Sequence, residues 1–388
     1  MPVSADAGTG ADGGFGLYVH WPFCAAKCPY CDFNSHVRRG LEGEPYGSAL
    51  VREMEHMRAR TGPRRLDSVF FGGGTPSLMA PRLVTDVIDA AERLWGLHDG
   101  AEITLEANPT STDAERFAGY RTAGVNRVSI GVQALNDTDL KVLGRLHSVD
   151  EARAAIETAR AAFPRLSFDL IYARPGQSVA GWSEELRQAI DLAADHLSLY
   201  QLTIEPGTPF YDLHARGHLK TPDDDLAADL YEATGEICRA AGLDAYEVSN
   251  HARSGAESRH NLVYWRYGDY VGVGPGAHGR ITLEGGRVAT ETIRSPEAWR
   301  SAVEADGHGV TTVDALSATD QASEYLVMGL RLREGISLSR FARLAGRPMD
   351  EKTLEDLVAD DLVAVARDRL TVTGRGRPVL NAVIAALA

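Results

Sequence analysis

Residues 15–31 read FGLYVHWPFCAAKCPYC, an apolar run of strand length followed at once by three cysteines. Cys24, Cys28 and Cys31 have the spacing C-x3-C-x2-C, and the remaining cysteine, Cys238, lies more than 200 residues further on. Iron–sulfur clusters commonly take four cysteine ligands, so three thiolates on one loop can hold three irons of a cubane and leave one iron open. A structural zinc site would place its ligands in two pairs and close at four. A zinc loop and three unrelated thiols are the alternatives.

The composition indicates a large globular protein of a reducing compartment. The chain has 388 residues, 44% of them hydrophobic, and a net charge of −14. Four cysteines with three clustered do not form a disulfide framework, and the acidic balance disfavours nucleic-acid binding. Residues 1–14 are small and polar, so we expect a disordered tail and no signal peptide. Without an 18-residue apolar run to span a membrane, we predict a soluble, cytoplasmic protein.

The alternation of strand-like and helix-like segments over residues 15–290 predicts an α/β domain with parallel strands. The chemistry-bearing residues follow these strands, as in barrels that build their sites at the carboxyl ends of strands. A doubly wound sheet is the alternative, but six or seven βα units favour a partial (β/α)6 TIM-like barrel. The strand candidates are Phe15–His20, Asp67–Phe71, Glu102–Glu106, Arg127–Gly131, Ser167–Ile171, His196–Thr203 and, more weakly, Ala245–Ser249.

The pattern changes over residues 291–388, where we predict a small winged-helix-like α+β domain. A glycine-rich stretch, Gly268–Gly286, precedes it and resembles a linker. Winged-helix domains often bind DNA, but basic residues cluster only at Arg367–Arg377, so we favour packing against the first domain or contact with a partner. The predicted helices are Ser317–Leu332, Ser337–Ala345 and Asp350–Ala359, and the predicted strands are Leu362–Ala366 and Arg369–Thr373.

Together the cysteine loop, a GGGTP turn at residues 72–76 and the strand order resemble the radical S-adenosylmethionine superfamily. Within it, the chain is similar to the relatives of oxygen-independent coproporphyrinogen III oxidase from about Tyr18 through the C-terminal domain. The stretches that carry this resemblance are YVHWPFCAAKCPYCDFNS, FFGGGTPS, SIGVQALND, FDLIYARPGQ, LSLYQLTIEPGTPF, YEVSNHA and VGVGPGAHG. The resemblance implies that Cys24, Cys28 and Cys31 ligate a 4Fe–4S cluster whose open iron is chelated by S-adenosylmethionine.

The resemblance also implies a set of residues around S-adenosylmethionine. The turn with Gly73, Gly74 and Thr75 would hold the methionine amino group, although it can also be read as a plain tight turn, and its three glycines would permit close backbone approach. Glu106 would accept hydrogen bonds from the ribose hydroxyls, a usual role for a carboxylate beside a nucleoside. The further cofactor-lining candidates are Tyr18, Gln133, Arg145 and Asp169, followed by Gln201 and the turn 276–278.

Two departures from the oxidases decide the subgroup. The oxidases carry a fourth cysteine two residues after the third, where this chain has Phe33, and they have a longer segment before the cysteines. Residues 260–265 read HNLVYW, which resembles the H-N-x-x-Y-W signature of the HemW haem chaperones. In that family the histidine is implicated in holding haem, so His260 is the candidate haem ligand, with a structural histidine as the alternative.

The function implied is a haem chaperone that binds haem and a 4Fe–4S cluster and transfers haem to an acceptor protein. We expect no catalytic residues for coproporphyrinogen III oxidation and no nucleic-acid partner. A reductant for the cluster is an expected partner, and a homodimer is one option for assembly. Oxidative decarboxylation of coproporphyrinogen III and radical chemistry on an unknown small substrate are the alternatives.

Overall fold

The computed structural model describes residues 13–38, 43–192 and 195–388. Most of the predicted tail, residues 1–12, therefore lies outside the described residues. The strands are β1 (Phe15–Trp21), β2 (Phe23–Cys24), β3 (His36–Val37), β4 (Leu66–Gly73), β5 (Leu97–Ala107), β6 (Arg127–Gln133), β7 (Arg165–Tyr172), β8 (His196–Gln201), β9 (Asp244–Ala245), β10 (Asn250–Ala252), β11 (Asp269–Val273), β12 (His278–Leu283), β13 (Gly286–Thr292), β14 (Val310–Ala315), β15 (Ile336–Ser337), β16 (Val363–Ala366) and β17 (Arg369–Val372).

Helices connect most of these strands. They are α1 (Glu44–Thr61), α2 (Pro81–Leu94), α3 (Ala114–Ala123), α4 (Asp137–Val142), α5 (Val149–Ala162), α6 (Val179–Leu192), α7 (Pro209–Ala215), α8 (Asp224–Ala240), α9 (Arg259–Trp265), α10 (Pro296–Asp306), α11 (Ala318–Gly329), α12 (Leu338–Ala345), α13 (Glu351–Ala359) and α14 (Leu380–Leu387). Among the described residues, no helix is both long and apolar enough to cross a membrane.

The predicted α/β barrel is confirmed. Strands β1, β4, β5, β6, β7 and β8 pair in that order, and every pair is parallel. One edge is extended by β11, parallel to β1, and then by the antiparallel strands β12, β13 and β14. The other edge ends in the short antiparallel strands β10 and β9. The six parallel strands are thus the partial (β/α)6 barrel.

Side-chain alternation along the strands separates the apolar core from the barrel interior. Leu17 and Val19 of β1 are fully buried in the main apolar core, which also contains Met54 of α1 and Val84 of α2. Tyr18, between them, instead stacks near Phe70 of β4. The barrel interior therefore carries its own set of side chains, and these decide the candidate site.

Two sequence-based predictions at the barrel edges are wrong. Ala245–Ser249 is not a strand, because its middle residues form a turn that joins β9 to β10, and the backbone N–H of Tyr246 donates to the carbonyl of Asn250. Gly268–Gly286 is not a linker but contains β11 and β12. Its glycines permit close packing: a Cβ on Gly272 would lie 2.0 Å from the carbonyl oxygen of His278.

The C-terminal elements form a small α+β unit with a separate apolar core, as predicted. Strands β15, β17 and β16 form a three-stranded antiparallel sheet beside α11, α12 and α13. The unit packs against the barrel, since Arg340 donates to the carbonyl oxygens of Arg266 and Tyr267 at 2.7 and 2.9 Å. Because β13 and β14 continue the barrel sheet past residue 290, we propose that the first domain extends to about residue 315.

Candidate cofactor site

The three clustered cysteines lie on the loop that follows β1, at the carboxyl end of the parallel strands. Cys24 belongs to β2 and is paired with Val37 of β3, while the backbone N–H of Cys31 donates to the carbonyl of Cys28 at 3.2 Å. All three thiols are free of disulfides and half-buried. The loop therefore presents three thiols together at the barrel mouth.

Each sulfur atom has a polar neighbour. Thr75 Oγ1 lies 3.5 Å from Cys24 Sγ, Arg145 Nη1 lies 3.3 Å from Cys28 Sγ, and Ser35 Oγ lies 4.0 Å from Cys31 Sγ. Burial raises the pKa of Cys24 and of Cys31, and the hydroxyl neighbours partly oppose that shift. A bound metal centre would instead lower the pKa of these thiols, because a coordinating thiol is deprotonated.

The donor set fits a cubane. Within residues 13–38, 43–192 and 195–388, no three His, Cys, Asp or Glu side chains converge closely enough to hold one metal ion. A 4Fe–4S cluster does not require that convergence, because each thiolate binds a different iron atom.

The glycine turn after β4 is built against the cysteine loop. The backbone N–H of Gly74 donates to the carbonyl of Trp21 at 2.7 Å, and that of Thr75 donates to Phe23 at 2.9 Å. Gly73 has a φ of 112°, and a Cβ there would lie 2.6 Å from the His20 ring. Protein neighbours thus already require glycine here, and close approach of a ligand is not needed to explain the turn.

Two carboxylates, Glu106 and Asp169, face the cavity from β5 and β7. Glu106 Oε2 accepts from the backbone N–H of Gly73 at 3.2 Å, and Asp169 Oδ1 accepts from the Ser129 hydroxyl at 3.2 Å. Loss of hydration and the charge of Asp169 raise the pKa of Glu106 to about 8. Loss of hydration raises the pKa of Asp169 to about 6, against opposing hydrogen bonds from serine hydroxyls. Acceptors of this kind suit the hydroxyl groups of a nucleoside.

Gln133 and Arg145 complete the polar wall. Gln133 has a φ of 75° at an irregularity between β6 and β7, a backbone conformation that is costly for a residue other than glycine and that concentrates at functional sites. Arg145 Nη2 donates to the carbonyl of Gly131 at 2.6 Å, while its buried Nε has no partner.

One cavity collects nearly all of the predicted cofactor residues. Its walls include Cys24, Cys28, Cys31, Gly73, Gly74, Thr75, Glu106, Gln133, Arg145 and Asp169. Sequence reasoning missed Asn108, Ser129 and Gly131, which also line it. For Ser129 and Gly131 the signal was present, because they alternate with Gln133 along β6 and so share its face.

Tyr18 does not line this cavity. Its hydroxyl bonds His20 Nδ1 at 3.0 Å, and its ring lies beside Phe70 and His260. Its contacts lie inside the barrel, below the cysteine loop. The further candidates Gln201 and the turn 276–278 also lie outside the cavity walls; that turn packs on Asn34, whose Nδ2 donates to Pro275 O at 2.8 Å.

His260, the candidate haem ligand, is enclosed within the barrel. Its ring is 2% exposed and stacks on Phe70 at 4.8 Å. Nδ1 lies 2.8 Å from Ser68 Oγ and Nε2 lies 3.2 Å from Tyr264 Oη, so both ring nitrogens are occupied. The loss of hydration lowers the pKa of His260 to about 3. An iron ion would need one of those nitrogens.

His260 lies at the floor of the barrel, at the amino ends of the strands. Glu102 Oε1 accepts from Ser258 Oγ at 3.1 Å and from the backbone N–H of His260 at 3.2 Å. Ser68, the hydrogen-bond partner of His260, lies four residues before Gly72 on β4, which corresponds to roughly 13 Å along the strand. The histidine and the cysteines are thus at opposite ends of the barrel interior.

The chain matches two protein-family models and several named proteins over most of its length. The family described as the Radical SAM superfamily matches residues 18–191, and the HemN C-terminal domain matches residues 316–379. The chain is 38% identical to "Heme chaperone HemW" of Escherichia coli, covering 95% of this chain and 96% of that protein. It is 40% identical to the mitochondrial "Radical S-adenosyl methionine domain-containing protein 1" of Mus musculus, covering 96% and 86%.

A solved structure shares the fold across nearly the whole chain. The coproporphyrinogen III oxidase HemN of Escherichia coli superposes with a TM-score of 0.80, covering 97% of this chain and 90% of that chain. The two sequences are 22% identical, so this likeness concerns the fold alone.

Proposed function

The chain belongs to the radical S-adenosylmethionine superfamily and, within it, to the family of the HemW haem chaperones, and we propose that it binds haem and transfers it to an acceptor protein. The observation that carries the proposal is the identity of 38% with a protein named as a haem chaperone, over 95% of this chain and 96% of that protein. A match over both domains favours a shared function more than a match to one domain would.

We propose that Cys24, Cys28 and Cys31 hold a 4Fe–4S cluster and that the polar wall of the same cavity holds S-adenosylmethionine. When bound, the reduced cluster supplies an electron to the sulfonium of S-adenosylmethionine. Glu106 and Asp169 would accept hydrogen bonds from its hydroxyl groups, and Arg145, which also lines the cavity, would supply positive charge. Gly73, Gly74, Thr75 and Gln133 would shape the cavity, and Tyr18 would support it from below.

Two alternative functions, both enzymatic, would use the same cavity. Oxidation of coproporphyrinogen III is disfavoured by Phe33, which lies at the cavity edge where the oxidases carry a fourth cysteine. The complete set of cavity residues is compatible with a third option, radical chemistry on another small substrate.

The test measures haem binding and coproporphyrinogen III turnover on the same reconstituted sample. After anaerobic reconstitution with iron and sulfide, haem is titrated and followed by its Soret band, and coproporphyrinogen III is then supplied with S-adenosylmethionine and a reductant. We expect about one haem per chain and no protoporphyrinogen. Product formation with stoichiometric release of carbon dioxide would establish the oxidase instead. Absence of both haem binding and turnover would favour the third option.

The partners follow from the proposal. A haem chaperone needs an acceptor protein, and reduction of the cluster needs an electron donor. The acceptor protein and the electron donor are predictions. The homodimer and the cytoplasmic location are predictions as well.

A further inference from the structure

The interior of the barrel is polar between the cofactor cavity and the floor. TIM-like barrels usually fill this space with bulky branched side chains, and burial of a polar group without a partner is costly. In this chain, three neighbouring strands direct polar side chains inward, and five of these are at most 8% exposed: Glu102 and Thr104 of β5, Arg127 and Ser129 of β6, and Ser167 of β7. Packing alone does not account for such a set.

A continuous hydrogen-bonded chain joins Arg127 to Asp169. Arg127 Nη2 donates to Ser167 Oγ at 2.8 Å. Ser167 Oγ lies 2.8 Å from Ser129 Oγ, and Ser129 Oγ donates to Asp169 Oδ1 at 3.2 Å. The two serines are also opposite each other in the pairing of β6 with β7, so the strand register holds their hydroxyls together. We call Arg127, Ser167 and Ser129 the serine relay.

The hydrogen bonds of the serine relay all point towards the cavity. A serine hydroxyl carries one donor hydrogen. The hydroxyl of Ser129 donates to Asp169, so the hydrogen between the two serines belongs to Ser167. A buried guanidinium is therefore joined to a carboxylate of the cavity wall by two hydroxyls in series. Hydrogen bonds in such a chain polarise and strengthen one another.

The floor end of the serine relay is held in place by a second carboxylate. The side chains of Arg127 and Glu102 are both buried, and Arg127 Nε lies 3.9 Å from Glu102 Oε2. Glu102 is itself fixed, because its other oxygen accepts from Ser258 Oγ at 3.1 Å. The guanidinium thus has a defined position from which it can orient the serine hydroxyls.

The cavity end of the serine relay is a carboxylate whose ionised form needs support. Burial raises the pKa of Asp169 to about 6, and that rise is opposed by the hydroxyls of Ser198 and Ser129 and by the charges of Arg127 and Arg145. An ionised carboxylate forms stronger hydrogen bonds with hydroxyl donors than a neutral carboxyl group does. Binding of a ligand hydroxyl to Asp169 therefore depends on the groups that stabilise its charge.

We propose that Arg127 is a positioning residue for S-adenosylmethionine, which acts on Asp169 through the hydroxyls of Ser167 and Ser129. The inference rests on the proposed binding of that cofactor and adds two residues, Arg127 and Ser167, that do not line its cavity. The serine relay orients the Asp169 side chain and favours its ionised form, so that the carboxylate accepts a hydrogen bond from a ligand hydroxyl.

The test breaks the serine relay at its middle residue. Ser167→Ala removes the hydroxyl that joins Arg127 to Ser129, and affinity for S-adenosylmethionine should fall about threefold, the worth of roughly one hydrogen bond. Calorimetry on the anaerobically reconstituted protein measures the change. Thr104→Val is the matched control, because it removes a buried hydroxyl of the neighbouring strand that has no hydrogen-bond partner, and it should bind like wild type. Iron content and circular dichroism should match wild type in every variant.

A double-substitution cycle distinguishes positioning from a purely structural role. Asp169→Asn removes the charge on which the serine relay acts, and it should weaken binding at least as much as Ser167→Ala does. In the Asp169→Asn protein, Ser167→Ala should then cause no further loss, because residues that act through one group are not additive. Equal losses in both backgrounds would make Ser167 a structural residue and overturn the proposal.

Two further results would also contradict the serine relay. If wild type binds S-adenosylmethionine and Ser167→Ala binds it equally tightly, Arg127 does not position Asp169, and the proposed cofactor site stands. A loss in Thr104→Val as large as that in Ser167→Ala would show a general disturbance of the barrel interior. If wild type binds no S-adenosylmethionine, the proposed cofactor site fails, and the role of Arg127 fails with it.

Discussion

Acidic and basic side chains lie at both ends of the barrel interior, but they are engaged differently. At the mouth, Glu106 accepts one backbone hydrogen bond beside an open cavity, and Arg145 keeps its buried Nε without a partner. At the floor, Glu102 accepts from Ser258 and His260 and faces Arg165 Nη1 at 3.6 Å. Buried polar groups need partners. At the floor, both ring nitrogens of His260 and Oε1 of Glu102 have partners within the protein, whereas Glu106 at the mouth borders an open cavity.

The comparison separates positions that hold the fold from positions that hold a ligand. A floor substitution should lower the free energy of unfolding and leave ligand spectra unchanged. A mouth substitution should change the ligand spectra and leave the free energy of unfolding unchanged. Each of the following predictions tests one side of that division.

The largest effect is expected at the cysteine loop. Cys28→Ala should abolish the iron–sulfur absorbance near ~400 nm and the signal of the reduced cluster, because a cubane on three protein ligands cannot be held by two. Iron content and electron paramagnetic resonance of the anaerobically reconstituted protein measure the result.

The control for that prediction is the fourth cysteine. Cys238 is fully buried in the main apolar core, far in sequence from the loop, so Cys238→Ala should retain full iron content. A Cys28→Ala protein that keeps four irons would contradict the assignment of the cluster to this loop.

The second prediction concerns the floor. His260→Ala removes the ring stacked on Phe70 and leaves Ser68 Oγ and Tyr264 Oη without a partner. Cavity formation and buried unsatisfied groups together should lower the free energy of unfolding by about 3 kcal/mol. Denaturant unfolding measures this loss, and the Soret band of the haem complex should stay unchanged.

An exposed histidine provides the matched control. His98 is half exposed, with Asp67 no closer than 4.0 Å, so His98→Ala should change stability little. A shifted Soret band in His260→Ala, with stability unchanged, would identify His260 as the haem ligand and contradict the division between mouth and floor.

The sequence predicted the mouth better than the floor for a physical reason. The cysteine spacing and the strand-end residues are local patterns, and parallel strands bring their carboxyl ends to one edge. The role of His260 depends on Ser68, which lies 192 residues away in the chain, and no local pattern reports that contact. The turn at Tyr246 and the strands within Gly268–Gly286 were missed because tertiary packing overrode weak local preference.

The third prediction returns to the mouth. Glu106→Gln keeps the shape of the side chain but removes its charge, and hydrogen bonds to charged groups are worth about 1 kcal/mol more than neutral ones. At pH 9, where the carboxyl group of Glu106 is mostly ionised, affinity for S-adenosylmethionine should fall about fivefold, measured by calorimetry on the reconstituted protein with iron content unchanged. Glu115→Gln, at an exposed glutamate of α3, should bind like wild type. Equal affinity in all three proteins would remove Glu106 from the cofactor contacts.

The smallest effect is a pH dependence at the same residue. The pKa of Glu106 is raised to about 8, so the carboxyl group is mostly protonated at pH 7 and ionises as the pH rises to 9. Because the ionised group accepts hydrogen bonds better, affinity for S-adenosylmethionine should rise a few-fold over that interval in wild type and stay flat in Glu106→Gln. The stability linkage has the opposite sign: the folded state binds this proton more tightly than the unfolded state does, so the contribution of Glu106 to stability falls as the pH rises from about 4.5 to about 8. A wild-type affinity that falls as the pH rises, while the variant stays flat, would show that the protonated carboxyl group is the form that binds the ligand.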